Sequence, residues 1–149
     1  MKKIVLYISV LGLLTVQSCE KDASPGDNYD FSTSLPPYVA LSSTAAKTVK
    51  QGTSTTFTFQ MRTAMQQKVT VYYDVTGGGV NLTNQTAVID RDKTSVVATV
   101  NIPVVIVAPA TTATATLTVV KAVADDGSLL TIGSKNNPTT QKVTLNITL

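Results

Sequence analysis

Histidine and tryptophan are absent from this 149-residue chain, cysteine occurs once, and aromatic residues make up only 5% of it. Without histidine no side chain titrates near pH 7 by default, so a Ser-His-Asp arrangement or a histidine general base is excluded. A single cysteine excludes an internal disulfide and a thiolate zinc cluster. Glutamate is nearly missing: Glu20 is the only one, so any carboxylate pair for acid–base work must come from aspartate. The nearest such pair, Asp90 and Asp92, falls in a stretch that reads as a hairpin turn. Of the tyrosines beyond the first 19 residues (Tyr29, Tyr38, Tyr72 and Tyr73), only Tyr72 is expected to face outward from a strand, which leaves little for stacking a sugar ring. Gly77-Gly78-Gly79 is followed by neither a Lys-Ser/Thr pair nor a helical pattern, so it reads as a loop and not as a phosphate cradle. These absences point away from an enzyme.

The sequence pI near 9.0 and formal charge of +3 suggest a polyanion-binding protein until the charges are placed. Lys2 and Lys3 sit at the extreme amino terminus, and without them ten basic residues face nine acidic ones. The remaining cations, such as Lys47, Lys50, Arg62, Lys68 and Lys121, are scattered singly, with no stripe and no interleaved aromatics. Nucleic acid is therefore not an expected partner.

The amino terminus has a layout of its own. Met1-Lys2-Lys3 is positive, and Ile4 to Val16 is an apolar run of 13 residues broken only by Ser9, Gly12 and Thr15. As a helix this run would span roughly 20 Å at ~1.5 Å per residue, short of the ~30 Å hydrocarbon core of a bilayer. It reads as the h-region of a signal peptide over residues 1–18. The run closes with Leu14-Thr15-Val16-Gln17-Ser18-Cys19, in which an apolar residue stands three before the cysteine and a small one directly before it. This resembles a lipobox. The resemblance implies a diacylglyceryl group on the Cys19 thiol, cleavage by signal peptidase II between Ser18 and Cys19, and an acylated new amino terminus. Glu20-Lys21-Asp22 next to the cysteine resembles the export signal of surface lipoproteins in Bacteroidota-type bacteria. That likeness implies carriage to the outer face of the outer membrane. Residues 19–37 then supply Pro25, Gly26, Asp27, Asn28, Pro36 and Pro37 with few aliphatics, as a flexible tether does.

Residues 38–149 alternate with period two. Phe57, Phe59 and Met61 share one face and Thr56, Thr58 and Gln60 the other. The scheme repeats with Val69, Val71, Tyr73 and Val75 inward, then Val96, Ala98, Val100 and Ile102. It returns with Ala113, Ala115, Leu117 and Val119, and with Val143, Leu145, Ile147 and Leu149. Shorter strands are expected at Tyr38 to Leu41 and Thr86 to Ile89. Turn formers separate them: Gln51-Gly52, the three glycines, Asp90 to Lys93, Asp125-Asp126-Gly127 and Asn136-Asn137-Pro138. The pattern predicts an all-β, immunoglobulin-like antiparallel sandwich of about seven strands. Pro103 cannot donate to a ladder, so a bulge or a switch between sheets is expected there. Val104 to Val107, apolar on both faces, reads as a buried strand, with an exposed docking edge as the alternative.

Four segments resemble a Calx-beta-type domain: Val49-Lys50-Gln51-Gly52-Thr53-Ser54 before a Phe-x-Phe strand, Lys68 to Gly77 running into a glycine-rich loop, Ala87-Val88-Ile89 turning into Lys93 to Val100, and Leu130-Thr131-Ile132-Gly133 before Val143 to Ile147. The resemblance covers residues 38–149 and implies the sandwich fold. Calcium-binding members use acidic clusters at one end. Here Gln51 stands where the opening motif often has Glu, and Asp90, Asp92, Asp125 and Asp126 remain as candidate ligands. No metal or cofactor is expected, since aspartate in turns more often bonds its own backbone. The functional expectation is a non-enzymatic, lipid-anchored envelope protein, serving interaction, adhesion or as an accessory at the outer membrane. Its partners would be the membrane through the anchor and a protein or glycan at the cell surface, with the periplasmic face as the alternative placement. A calcium- or glycan-binding module assisting nutrient capture is the alternative function.

Overall fold

Alternating apolar and threonine positions produce nine strands and no helix among the residues described by the computed structural model, 36–133 and 141–149. In chain order these are β1 (Tyr38–Leu41), β2 (Lys47–Lys50), β3 (Ser54–Met61), β4 (Val69–Gly77) and β5 (Val80–Ile89). They continue with β6 (Ser95–Asn101), β7 (Thr112–Ala124), β8 (Leu129–Ile132) and β9 (Lys142–Thr148). One sheet has the order β8-β1-β3-β6, the other β2-β9-β7-β4-β5. β8 also pairs with the far half of β7, so the two sheets join at one corner.

The inward residues of each strand close one core. Phe57, Phe59 and Met61 of β3 share that core with Val69, Val71, Tyr73 and Val75 of β4 and, beside these in the same sheet, Leu117, Val119, Val143, Leu145 and Ile147 of β7 and β9. Phe59 is fully buried, with its ring centroid 5.1 Å from that of Tyr73. Burying a side chain of that size contributes about 1.5–3 kcal/mol relative to leaving it exposed. Among the described residues the buried core side chains run from Val39 to Ile147, within the compact unit Leu35–Leu149. On the outer face polar residues line up across strands, as in Thr76, Thr116 and Thr144, or Thr114 and Asn146. Cross-strand Thr pairs of this kind each contribute a few tenths of a kcal/mol to about 1 kcal/mol.

The sandwich stands, with corrections. Among the described residues nine strands replace seven, the two additions being β2 and β8, of four residues each. The pairing is not purely antiparallel: β1 runs parallel to β8, and β2 parallel to β9. β5 begins at Val80, straight after the Gly78-Gly79 turn, and not at Thr86. β7 continues past Val119 because Val120 is an extra, outward residue: β4 pairs Tyr73 with Val119 but Tyr72 with Lys121. That bulge flips the parity and returns Ala122 and Ala124 to the core.

Residues 102–111 form no strand; they carry the chain from β6 in one sheet to β7 in the other, the switch expected at Pro103. The buried strand expected at Val104 to Val107 is therefore overturned. Ile106 is buried, but Val104 and Val107 are 72% and 77% exposed, and no ladder bonds the segment. The Asp90 to Lys93 turn is likewise a crossover between sheets and not a hairpin turn, since β5 and β6 do not pair. Leu149 lies past the end of β9 and is exposed.

Candidate functional site

Cys19 and Ser18, the expected lipidation and cleavage residues, lie outside the described residues, as does the Asn136-Asn137-Pro138 turn. Among the described residues no helix is long and apolar enough to cross a membrane.

The four candidate aspartates do come together at one end of the sandwich. Val69 at the start of β4 is flanked by Ile89 on one side and Ala124 on the other. Asp90 and Asp125, the residues that follow those two, therefore emerge beside Lys68. The Lys68 ammonium lies 3.5 Å from Asp90 Oδ1, and the Lys68 carbonyl accepts a bond from the Asp125 N–H at 3.1 Å. Asp92 takes a left-handed backbone conformation, donates its N–H to the Met65 carbonyl at 2.9 Å, and pairs with Arg91 at 3.5 Å. Arg91 in turn donates to Gln66 Oε1 at 2.9 Å.

Asp126 is held most completely. One carboxylate oxygen accepts the Ser128 N–H at 2.9 Å and the other accepts from Gln67 Nε2 at 3.0 Å, while Gln67 Oε1 accepts the Asp126 N–H at 3.2 Å. The Ser128 and Gln67 bonds lower its pKa from 3.8 to about 2, because they favour the charged form. The carboxylates of Asp90, Asp92 and Asp126 are thus engaged with cations, an amide and a turn N–H, while Asp125 is held through its backbone N–H. No group of three or more His, Cys, Asp or Glu is placed to hold a metal ion among the described residues. The arrangement staples three loops together.

No protein-family model matches the sequence, and no curated protein matches it. Among solved structures, the apo form of the Calx CBD1 domain matches with a TM-score of 0.53 at 8% identity. The match covers 76% of this chain and 96% of that one. The fold is Calx-beta-like. At that identity the likeness establishes architecture and nothing about ligands.

At the other end of this Calx-beta-like sandwich, Gln51 organises the crossover. Its Oε1 accepts two backbone bonds, from Val105 N–H at 3.0 Å and Ile106 N–H at 2.8 Å. Its own N–H donates to the Thr148 carbonyl at 2.8 Å. The position singled out because it lacks a glutamate is thus an amide acceptor that supports a segment with no ladder. Next to it, the Gly77–Gly79 turn packs closely on β7: a Cβ at Gly78 would lie 2.8 Å from the Thr114 carbonyl oxygen. Tyr72 is only partly buried, and its outer face is occupied, with the Lys121 ammonium 4.6 Å from the ring centroid.

Asp74 was not a sequence candidate. It sits mid-strand in β4, opposite a point where β5 carries two residues, Thr83 and Asn84, against one. Its Oδ1 accepts the Asn84 N–H at 2.8 Å, and Asn84 takes a positive φ of 55°. An acid inside an alternating strand, ten residues before an Asn in the next one, was the available signal; the turn length that aligns them was not.

Proposed function

We propose that this protein is a non-enzymatic envelope module: a Calx-beta-like sandwich tethered to the outer membrane through lipidated Cys19 and displayed at the cell surface. The observation that carries the reading is the position of the only cysteine, directly after a positive, apolar leader too short to span a bilayer. The Glu20-Lys21-Asp22 cluster favours the outer face, and the role is interaction, adhesion or accessory to an outer-membrane assembly. The described part of the chain enters the sandwich at Tyr38, beside Thr131 and next to the Val39–Met61 pair, which is the aspartate end.

Mass spectrometry of the native amino-terminal peptide tests the reading. A peptide starting at Cys19 with acyl chains on the sulfur is expected, and Cys19→Ser should abolish acylation and membrane partitioning. An intact leader, or a free thiol on the native protein, sinks it. Proteolysis of whole cells distinguishes the surface from the periplasmic face.

Calcium binding is the second reading, favoured by four aspartates at one end of a Calx-beta-like fold. The engagement of Asp90, Asp92 and Asp126 with Lys68, Arg91, Gln67 and the Ser128 N–H opposes it, since calcium asks for about six to eight free oxygens. Calorimetric titration should give no heat and no rise in Tm; either signal would reinstate calcium.

A further inference from the structure

Among the described residues three strands end the sheets, and two of them are guarded. β2 is four residues long and carries Lys47 and Lys50. β5 is interrupted by the Thr83–Asn84 bulge that Asp74 holds. Short, charged or bulged edges resist pairing with another chain. β6 has none of these features. Its seven residues, Ser-Val-Val-Ala-Thr-Val-Asn, contain no charge and no proline, and they pair with β3 in unbroken register from Asn101 opposite Ser54 to Ser95 opposite Gln60.

The direction of its free groups follows from its ends. Ile102 N–H donates to Thr53 and Met61 N–H donates to the Thr94 carbonyl, so residues 94 and 102 face β3. By antiparallel alternation Val96, Ala98 and Val100 face β3 too, while Ser95, Val97, Thr99 and Asn101 turn their N–H and C=O groups outward. None of those four finds a backbone partner among the described residues. Their side chains are exposed, Val97 by 61%.

We propose that two copies of the chain pair through β6, antiparallel across a two-fold axis, so that the β8-β1-β3-β6 sheets become continuous. An antiparallel strand is complementary to itself across a two-fold. The register with Val97 opposite the partner copy's Thr99 sets Ser95 opposite Asn101, brings no charge against charge, and leaves Lys93 and Pro103 just outside the pairing. An uncharged, apolar-centred edge of this kind favours a second copy over a charged peptide. The proposal does not rest on lipidation of Cys19.

Sedimentation equilibrium of the unit Leu35–Leu149 tests it, together with crosslinking of the full chain in cells. The wild-type unit is expected to approach twice its monomer mass as its concentration rises. Val97→Lys and Thr99→Lys, each at an exposed position, should hold it monomeric with an unchanged Tm. In cells, a short bis-maleimide should crosslink the full-chain Val97→Cys/Thr99→Cys variant into dimers, and not the wild type, whose only thiol is Cys19. A wild-type unit that stays monomeric to about millimolar concentration overturns the proposal. So does a dimer that both lysine variants retain, or a crosslink from β6 to a different protein only.

Discussion

Replacing Gln51 by alanine isolates one device in this fold. The substitution removes the oxygen that accepts the Val105 and Ile106 N–H groups, at 3.0 and 2.8 Å, in a part-buried setting. A donor left without its partner costs about 1–3 kcal/mol when buried, and water reaches part of this site, so about 1 kcal/mol per bond is the reasonable figure. The sum is about 2 kcal/mol, and at roughly 4 °C per kcal/mol for a domain of this size Tm falls by about 8 °C. Gln51→Glu supplies the control. A carboxylate accepts the same two bonds more strongly than an amide, so at neutral pH its Tm should equal or exceed that of the wild type. Those bonds lower the new carboxyl's pKa below the ordinary ~4.3, so the gain is complete above that value and disappears as pH falls through the lowered one. Circular dichroism melts of the three proteins against pH read both effects. An alanine variant melting with the wild type, or a glutamate variant losing as much as alanine at pH 7, would refute the role given to this oxygen.

Other expectations follow from the same geometry. Gly78→Ala should cost at least about 2 kcal/mol, because φ is positive and the new Cβ meets Thr114 backbone at 2.8 Å; Gly127→Ala, with nothing within 4 Å, should cost only about 1. Urea midpoints of the pair separate close approach from backbone strain, and equal losses would contradict the distinction. Phe59→Ala, at a fully buried position against Tyr73, should destabilise by about 3–5 kcal/mol in the same assay. Asp126 has a lowered folded-state pKa, so its stabilisation is complete above 3.8 and is lost as pH falls toward about 2. The Tm difference between the wild type and Asp126→Asn should therefore shrink across that interval, and a constant difference would count against the turn bonds described.

The strands that could be read from the sequence were the short β1 before the first turn and those with one polar and one apolar face over at least seven residues, such as β3, β6 and β9. Hidden features had two physical causes. Where a bulge changes parity, as at Val120, the alternation stops carrying information although the strand goes on. Where a segment is fixed by a remote group, as Val104 to Val107 is by Gln51, its apolar composition resembles a buried strand while its backbone bonds lie 54 and 55 residues away in the chain. The two parallel pairings were invisible for a related reason, since no local turn announces which distant strand lies alongside. The aspartates were found by type, but the hydrogen bond from Gln67 to Asp126 and the ion pair of Lys68 with Asp90 required knowing that the β3–β4 loop lies among them.

β1, the first strand, is flanked on both sides, by β3 and β8, and does not lie at a sheet edge. A pull applied at Tyr38 and resisted from the opposite end of the sandwich runs along this strand, roughly perpendicular to its hydrogen bonds to β3. Those bonds bear the force together in shear instead of opening one after another. Tension entering at Tyr38 would thus be shared across the sheet before any single strand could peel away.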